Sequence, residues 1–149
     1  IAILISLLGY VVAGFASDRI GRRPTMMIYS ILAIITAIPL TRLLLGHAYG
    51  FYGAIITASL IAFLTTGVYG VIPAFLAEKF PTSIRSTGVG FSFNGGFIVG
   101  NWSTALLLLE SSIQSSEFYV YWSIFIIIGE ALILASAALS RETKGAEIN

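Results

Sequence analysis

Three kinds of residue are scarce in this chain, and each scarcity excludes a class of protein. The 149 residues include no cysteine, so the chain forms no disulfide and holds no thiolate metal site. The one histidine, His47, cannot build a zinc centre by itself. Charged residues make up only 10%, against roughly one quarter in a soluble domain. The net charge of +1 gives no electrostatic surface for a nucleic acid, so neither a soluble domain nor a nucleic-acid partner is predicted.

Apolar residues are what the chain has in abundance. They make up 57% of the residues, and the mean hydropathy is +0.94. Because a helix needs about 20 apolar residues to cross a bilayer, the sequence predicts an all-α integral membrane protein with five spans. The chain begins inside an apolar run, and we expect it to be part of a longer protein. It has no Cys/His pair, metal-ligand cluster or nucleophile elbow, so no enzyme, cofactor or metal site is predicted.

The five apolar stretches alternate with short polar segments. The predicted spans are residues 1–16, 25–41, 51–77, 87–109 and 118–140, with loops 17–24 and 78–86 on one side and a tail at 141–149. Of the eight Lys and Arg residues, all but Arg42 lie in these loops and this tail. Since cationic segments are retained in the cytoplasm, both loops and the C-terminus are predicted to be cytoplasmic. Pro73 is expected to kink the third span.

Four side chains are predicted to share one depth near the middle of the membrane: Tyr10, Tyr69, Asn94 and Glu130. This depth follows from counting about 1.5 Å per residue from the predicted cytoplasmic helix ends. Asn94 and Asn101 share one face of span four, which either lines a hydrated cavity or bonds to a neighbouring helix. Glu130 is the one carboxylate well inside a span. It is either a proton or substrate site or a neutral structural residue.

Small side chains recur every four residues in spans three and four, which lets another helix approach closely. The row on span three comprises Ala54, Ala58, Ala62, Thr66, Gly70 and Ala74, and the row on span four comprises Gly88, Ser92, Gly96, Gly100 and Thr104. For span three, ordinary tight helix packing is the favoured interpretation.

The charged segments carry motifs of a known family. Six residues resemble the GxxxDRxGRR pattern of the major facilitator superfamily: Gly14, Asp18, Arg19, Gly21, Arg22 and Arg23. Residues 77–96, AEKFPTSIRSTGVGFSFNGG, are similar to the passage from helix ten into helix eleven of its metabolite:proton symporters and sugar porters. RETKG at 141–145 resembles the PETKG that ends helix twelve. The resemblance implies that the five spans are helices 8 to 12 of the twelve-helix fold, with helix seven and the N-terminal half missing.

The resemblance also implies a function. It implies a secondary transporter that works by alternating access, with Tyr10, Tyr69, Asn94 and Asn101 as candidates to line the pathway and Glu130 as a possible proton site. GVIPAF lacks the tryptophan that glucose-type porters carry after this proline, and the segment 140–141, Ser-Arg, lacks the proline that precedes ETKG in the family. These departures favour a small organic acid or similar metabolite, with proton coupling, carried across the plasma membrane. The alternatives are a sugar uniporter or symporter and a receptor or assembly partner that does not transport.

A network of charges at the cytoplasmic face is implied as well. Within this chain it is expected to join Arg19, Arg22, Arg23, Glu78, Arg85 and Glu142. Asp18 is expected to cap a helix N-terminus from the missing half. Exposed ion pairs contribute about 0–1 kcal/mol singly, but a network can bias a conformational equilibrium by a few kcal/mol. The network would latch the outward-open state; the simpler interpretation is that the arginines only set the topology.

Overall fold

Helices form nearly all of the described chain. The structure is a computed structural model that describes residues 2–46, 49–109 and 118–145, with the backbone alone at residue 97 and at 99–109. The helices are α1 (Ala2–Ile20), α2 (Arg22–Leu45), α3 (Gly50–Gly67), α4 (Ile72–Ala77), α5 (Arg85–Leu109) and α6 (Phe118–Leu139). A 3-10 turn, Val68–Gly70, joins α3 to α4.

Four described segments are long and apolar enough to cross a membrane: Ala2–Ile20, Arg22–Leu45, Gly50–Ala77 and Phe118–Leu139. The predicted all-α membrane architecture is therefore confirmed at this level. The remaining predicted span, residues 87–109, lies within α5, which is a continuous helix of 25 residues. His47 and the connection at 110–117 lie outside the described residues.

The junction between α1 and α2 is shorter than the sequence predicts. A loop is expected over residues 17–24, but α1 continues to Ile20 and α2 already begins at Arg22. Gly21 alone makes the turn, with φ at 112°, a value that strains any residue with a side chain. Charged side chains are compatible with a helix. The charged residues of this motif therefore belong to the last turn of α1 and the first turn of α2.

α2 forms the most extensive contacts of the described helices. It packs against α6 and α3, while α1 packs against α3. Glycines permit the closest approaches: a Cβ on Gly9 would lie 2.9 Å from the carbonyl oxygen of Phe63, and a Cβ on Gly70 would lie 2.4 Å from that of Tyr10. The small row on span three thus places Gly70 in a tight contact with α1, as ordinary helix packing requires.

The third apolar segment is interrupted between α3 and α4. The N–H of Val71 donates to the carbonyl of Val68 at 2.9 Å, which is the shorter 3-10 pattern. Pro73 stands in the first turn of α4, and because it has no N–H it cannot continue a regular helical ladder from α3. The interruption therefore lies in the turn before Pro73, and it places Tyr69 beside α1 and α5.

α5 joins the rest of the chain mainly through α4, with lesser contact to α6. Near its start, the Phe80 ring occupies the space that a side chain on Gly88 would need, 2.7 Å from the ideal Cβ position. Farther along the helix, Phe91 is 81% exposed and Asn94 is also exposed. Much of the described surface of α5 therefore faces away from the other helices.

Candidate functional site

A set of polar residues lies where α1 ends, α2 begins, α4 ends and the tail follows α6. We name it the helix-end cluster, and it comprises Ser17, Asp18, Arg22, Glu78, Glu142 and Thr143. Arg22 is its centre: Nε donates to Glu78 Oε1 at 3.1 Å, and Nη1 donates to Ser17 Oγ at 2.7 Å and to Asp18. The side chains of Arg22 and Glu78 are each 16% exposed, whereas Asp18 is 62% exposed. Because water screens it less, the Arg22–Glu78 pair is coupled more strongly than an exposed ion pair.

Glu142 caps the N-terminus of α2 from the tail. Its Oε1 atom accepts from the backbone N–H of Arg22 at 2.9 Å, and its Oε2 atom accepts from that of Arg23 at 3.1 Å. These N–H groups have no partner within their own helix, and the helix dipole favours a negative charge there. Burial raises the pKa of the Glu142 carboxyl, but the backbone N–H donors of Lys144, Arg22, Thr143 and Arg23 lower it by more, so the pKa falls below its usual value.

Two further contacts hold the tail against the helix ends. The hydroxyl of Thr143, a buried residue, donates to Glu78 Oε2 at 2.5 Å. The Nζ of Lys144 donates to the carbonyl oxygen of Arg19 at 2.5 Å. The tail therefore contacts α1, α2 and the end of α4 at once. Sequence reasoning did not single out Ser17 or Thr143, although both lie inside the quoted motifs, because it considered only charged partners.

The predicted charge network is smaller than expected. Within the part of the chain that the structure describes, the only ion pairs join Arg22 to Asp18 and to Glu78. The Arg23 guanidinium donates instead to the carbonyl of Ala138 at the end of α6, at 2.9 Å. A side chain so close to the end of a neighbouring helix finds free carbonyl acceptors there.

Two other predicted members also take different partners. Arg85 donates within its own loop, to the carbonyl of Phe80 at 3.3 Å and to Thr82 Oγ1 at 3.1 Å, so it does not join the cluster. Arg19 contributes its backbone carbonyl rather than an ion pair among these residues. Asp18, expected to cap a helix of the missing half, pairs with Arg22 because positions i and i+4 lie close together across the short junction.

The mid-span residues are brought together in part. Tyr69 lies within electrostatic reach of Tyr10 on α1 and of Glu130 on α6. The ring of Tyr69 also packs edge-to-face on Phe93 of α5, with centroids 6.2 Å apart. The Asn94 amide donates to the carbonyl of Gly90 in its own helix at 2.8 Å and is otherwise exposed. The side chain of Asn101 lies outside the described ones.

Glu130 is buried where α6 meets α2, with 5% of its surface exposed. Ser30 of α2, which is fully buried, lies beside its carboxyl group. Neither Glu130 Oε2 nor Ser30 Oγ forms a hydrogen bond with any residue described by the structure. The carboxyl group therefore faces into the protein and not into lipid.

The described residues contain no group of three or more His, Cys, Asp or Glu that could hold a metal ion. Among known families, the model described as "Sugar (and other) transporter" matches residues 1–147. The chain belongs to this family of the major facilitator superfamily. The resemblance stated from the motifs is thereby confirmed. So is the prediction that the chain is not an enzyme, because the family and its relatives are transporters.

Curated relatives of this family cover different lengths of the chain. The α-ketoglutarate permease of Escherichia coli (strain K12) is 29% identical over 148 residues, 97% of this chain and 33% of the permease. The "Probable 4-methylmuconolactone transporter" of Cupriavidus pinatubonensis is 36% identical over 95 residues, 64% of this chain and 21% of that protein. The niacin transporter of Acinetobacter baylyi is 24% identical over 145 residues, 97% of this chain and 32% of the transporter. The chain thus spans a third or less of these relatives. No solved structure matches it significantly.

Proposed function

We propose that the complete protein is a secondary transporter that carries a small organic acid or similar metabolite by alternating access, coupled to protons. The observation that carries this proposal is the family match over residues 1–147. The substrate class rests on the relatives, which are named for α-ketoglutarate, 4-methylmuconolactone and niacin. We carry this class of small metabolite over to the present chain.

The polar groups at mid-span are suited to bind oxygen atoms of such a substrate. Tyr10, Tyr69 and Asn94 can donate O–H and N–H hydrogen bonds, and we include Asn101 with them from its place on α5. Away from the helix ends, the described spans hold no Lys, Arg or His. These neutral donors would therefore orient the substrate, and a cation that pairs with its carboxylate would come from another part of the complete protein.

The helix-end cluster would stabilise one conformation of the transport cycle. Its contacts make the ends of α1, α2 and α4 and the tail into one unit, centred on Arg22. Asp18 is the most exposed of its ion-paired groups, so it remains accessible to a helix of the other half of the protein. Closing this end against that half would favour the outward-open state. The interactions lost when this end opens would bias the conformational equilibrium toward that state by a few kcal/mol.

The orientation in the membrane follows the distribution of charge. We propose that the helix-end cluster and the C-terminal tail lie in the cytoplasm, since seven of the eight basic residues occupy that side. The five predicted spans would correspond to helices 8 to 12, the N-terminal half of the same protein would complete the pathway, and the plasma membrane would be the location. Two halves that rock around a mid-membrane site are a general transporter design.

Competition for uptake tests the substrate class. The complete protein, reconstituted in liposomes, is expected to take up labelled α-ketoglutarate or another small organic acid, and unlabelled acids should compete while sugars should not. Protein-free liposomes provide the background. Uptake of sugars alone would overturn the organic-acid assignment and support the sugar alternative. A folded protein that moves neither class would contradict transport of these substrates and favour the receptor alternative.

A further inference from the structure

Glu130 occupies an unusual position for a carboxyl group in a membrane helix. It lies nine residues before the end of α6, so it is about 13 Å from that end at about 1.5 Å per residue. Two polar contacts tie α6 to α2 on either side of it: Arg23 donates to Ala138 O at 2.9 Å, and Thr41 hydrogen-bonds with Ser123. Glu130 and Ser30 stand between these ties, inside the interface.

Hydrogen bonding singles out this pair within the described core. Other buried hydroxyl groups are satisfied by a carbonyl of their own helix, as Thr25 is by Gly21 O at 2.8 Å and Ser59 by Ile55 O at 2.6 Å. Ser30 Oγ and Glu130 Oε2 are both buried and both unbonded among the described residues. A group that is merely structural is expected to have its bonds satisfied, because an unmet bond in a buried site is costly. The pair therefore keeps capacity to donate and accept.

Among the residues that the structure describes, no cationic side chain lies beside Glu130. From α2 the facing group is Ser30, and Tyr69 of the 3-10 turn lies within electrostatic reach of Glu130 and of Tyr10 on α1. α3 and α4 contain no ionisable side chain other than Tyr52, and the basic residues of α2 and α5 stand in their first or last turns. In this setting a carboxyl group is far more stable with its proton than without it.

We propose that Glu130, together with Ser30, is the proton-binding site of this chain, and that it holds its proton in the conformation described. This inference rests on the proposed transport function and adds a position for the coupled proton. In the neutral state the Glu130 O–H can turn toward the neighbouring Ser30 Oγ, which has no hydrogen bond among the described residues. On release, the proton passes to water in the pathway, and the carboxylate then accepts from the Ser30 O–H.

Substrate-driven proton movement tests the assignment in the complete protein. In proteoliposomes that contain a pH-sensitive dye, the wild-type protein should acidify the lumen as labelled organic acid enters. Glu130→Gln should abolish this acidification and the accumulation driven by a proton gradient, while exchange of labelled for unlabelled substrate continues, because exchange requires no release of the proton. Acidification that persists in Glu130→Gln would overturn the proposal.

Thr41→Val is the matched control, since it removes a polar contact of the same helix pair without removing a titratable group. Thr41→Val should leave substrate-driven acidification intact. Loss of acidification in this variant would contradict a specific role for Glu130. If Glu130→Gln does not fold, Ser30→Ala decides the question. Loss of the hydroxyl disfavours the carboxylate, so the pH for half-maximal proton release should rise by about one unit. An unchanged midpoint would overturn the proposal.

Infrared difference spectroscopy separates the failure of this inference from the failure of the proposed function. The wild-type protein should show the carbonyl band of a protonated carboxylic acid that is absent from Glu130→Gln, whether or not a substrate is known. If substrate moves without protons, transport stands and the proton site is overturned. If no tested substrate moves, the proposed function fails first, and the presence or absence of the infrared band still supports or overturns a protonated Glu130.

Discussion

The Oε2 atom of Glu142 lies 2.6 Å from the position that a Cβ on Gly21 would occupy. The tail carboxylate therefore sits in space that only glycine leaves open, and from there it accepts the first free N–H groups of α2. The turn between α1 and α2 and the docking of the tail are thus one arrangement. This arrangement depends on Gly21 and Glu142, which are 121 positions apart in the sequence.

Replacing Gly21 should disrupt the contact between the tail and the N-terminus of α2. We expect Gly21→Ala to destabilise the protein by about 1–3 kcal/mol, because alanine is strained at a φ of 112° and its methyl group displaces the carboxylate. Thermal unfolding in detergent measures the change. Gly129→Ala is the matched control, since a Cβ there meets nothing within 4 Å. Equal melting temperatures for the two variants would contradict this account of the turn.

The cap should make stability depend on pH. The folded pKa of Glu142 lies below its usual value of 4.5, so its contribution is fully present above that value and is lost as the pH falls through the folded pKa. Melting temperatures measured from about pH 7 down to about pH 3 should fall less steeply below pH 4.5 for Glu142→Gln than for the wild type. Parallel curves would show that this carboxylate does not contribute to the acid sensitivity.

Arg22 should be irreplaceable by lysine. Its guanidinium reaches Glu78 through Nε and reaches both Ser17 and Asp18 through Nη1, and a single ammonium group cannot bridge this span. We expect Arg22→Lys to lose about 1–2 kcal/mol of bias toward the latched state, which is about a five- to thirtyfold change in population. The uptake rate, and the accessibility of a cysteine introduced at this end, report the change. Arg85→Lys, outside the cluster, should have a small effect; equal effects would count against the latch.

The crossing of α1 with the 3-10 turn should not tolerate a methyl group. A Cβ on Gly70 would lie 2.4 Å from the backbone oxygen of Tyr10, so the two segments must separate. We expect Gly70→Ala to cost about 1–3 kcal/mol in unfolding experiments. Gly95→Ala provides the comparison, because its Cβ meets nothing within 4 Å. Wild-type stability in Gly70→Ala would refute the close approach.

The proposed orientation can be tested by single-cysteine labelling, which the cysteine-free chain makes straightforward. With cysteines elsewhere in the complete protein removed, Ser83→Cys should react with an impermeant maleimide only from the cytoplasmic side. Tyr49→Cys should react only from the opposite side, since 49 precedes α3 at the far end of the bundle. Both residues are exposed. Labelling of both from one side would exclude the assigned topology.

The sequence predicts the architecture well because the bilayer leaves few alternatives. Long apolar stretches must be helices, since backbone groups in lipid need internal hydrogen bonds. Helix ends were less predictable: charged residues at 17–24 indicate water but do not by themselves end a helix. The partner of each charge also depended on distances across the fold. Arg23 and Arg85 donate to backbone carbonyls nearby. Thr143, a neutral residue, donates to the second carboxylate oxygen of Glu78, where the charge pattern predicts another arginine.

Glu130 shows the same limit at mid-span. Its depth could be counted from the sequence, but the direction of its carboxyl group could not, because that depends on how α6 rotates against α2. From the sequence, a neutral structural glutamate was the alternative to a proton or substrate site. The structure turns Glu130 inward, to 5% exposure beside Ser30.

The most direct test of the whole account is uptake of a labelled organic acid by the complete protein in liposomes, with and without an inward proton gradient. Proton-coupled transport requires accumulation above the external concentration when the gradient is present, and only equilibration when a protonophore collapses it. Uptake that is indifferent to the gradient would contradict proton-coupled transport. It would leave a uniporter of the same family as the function of this protein.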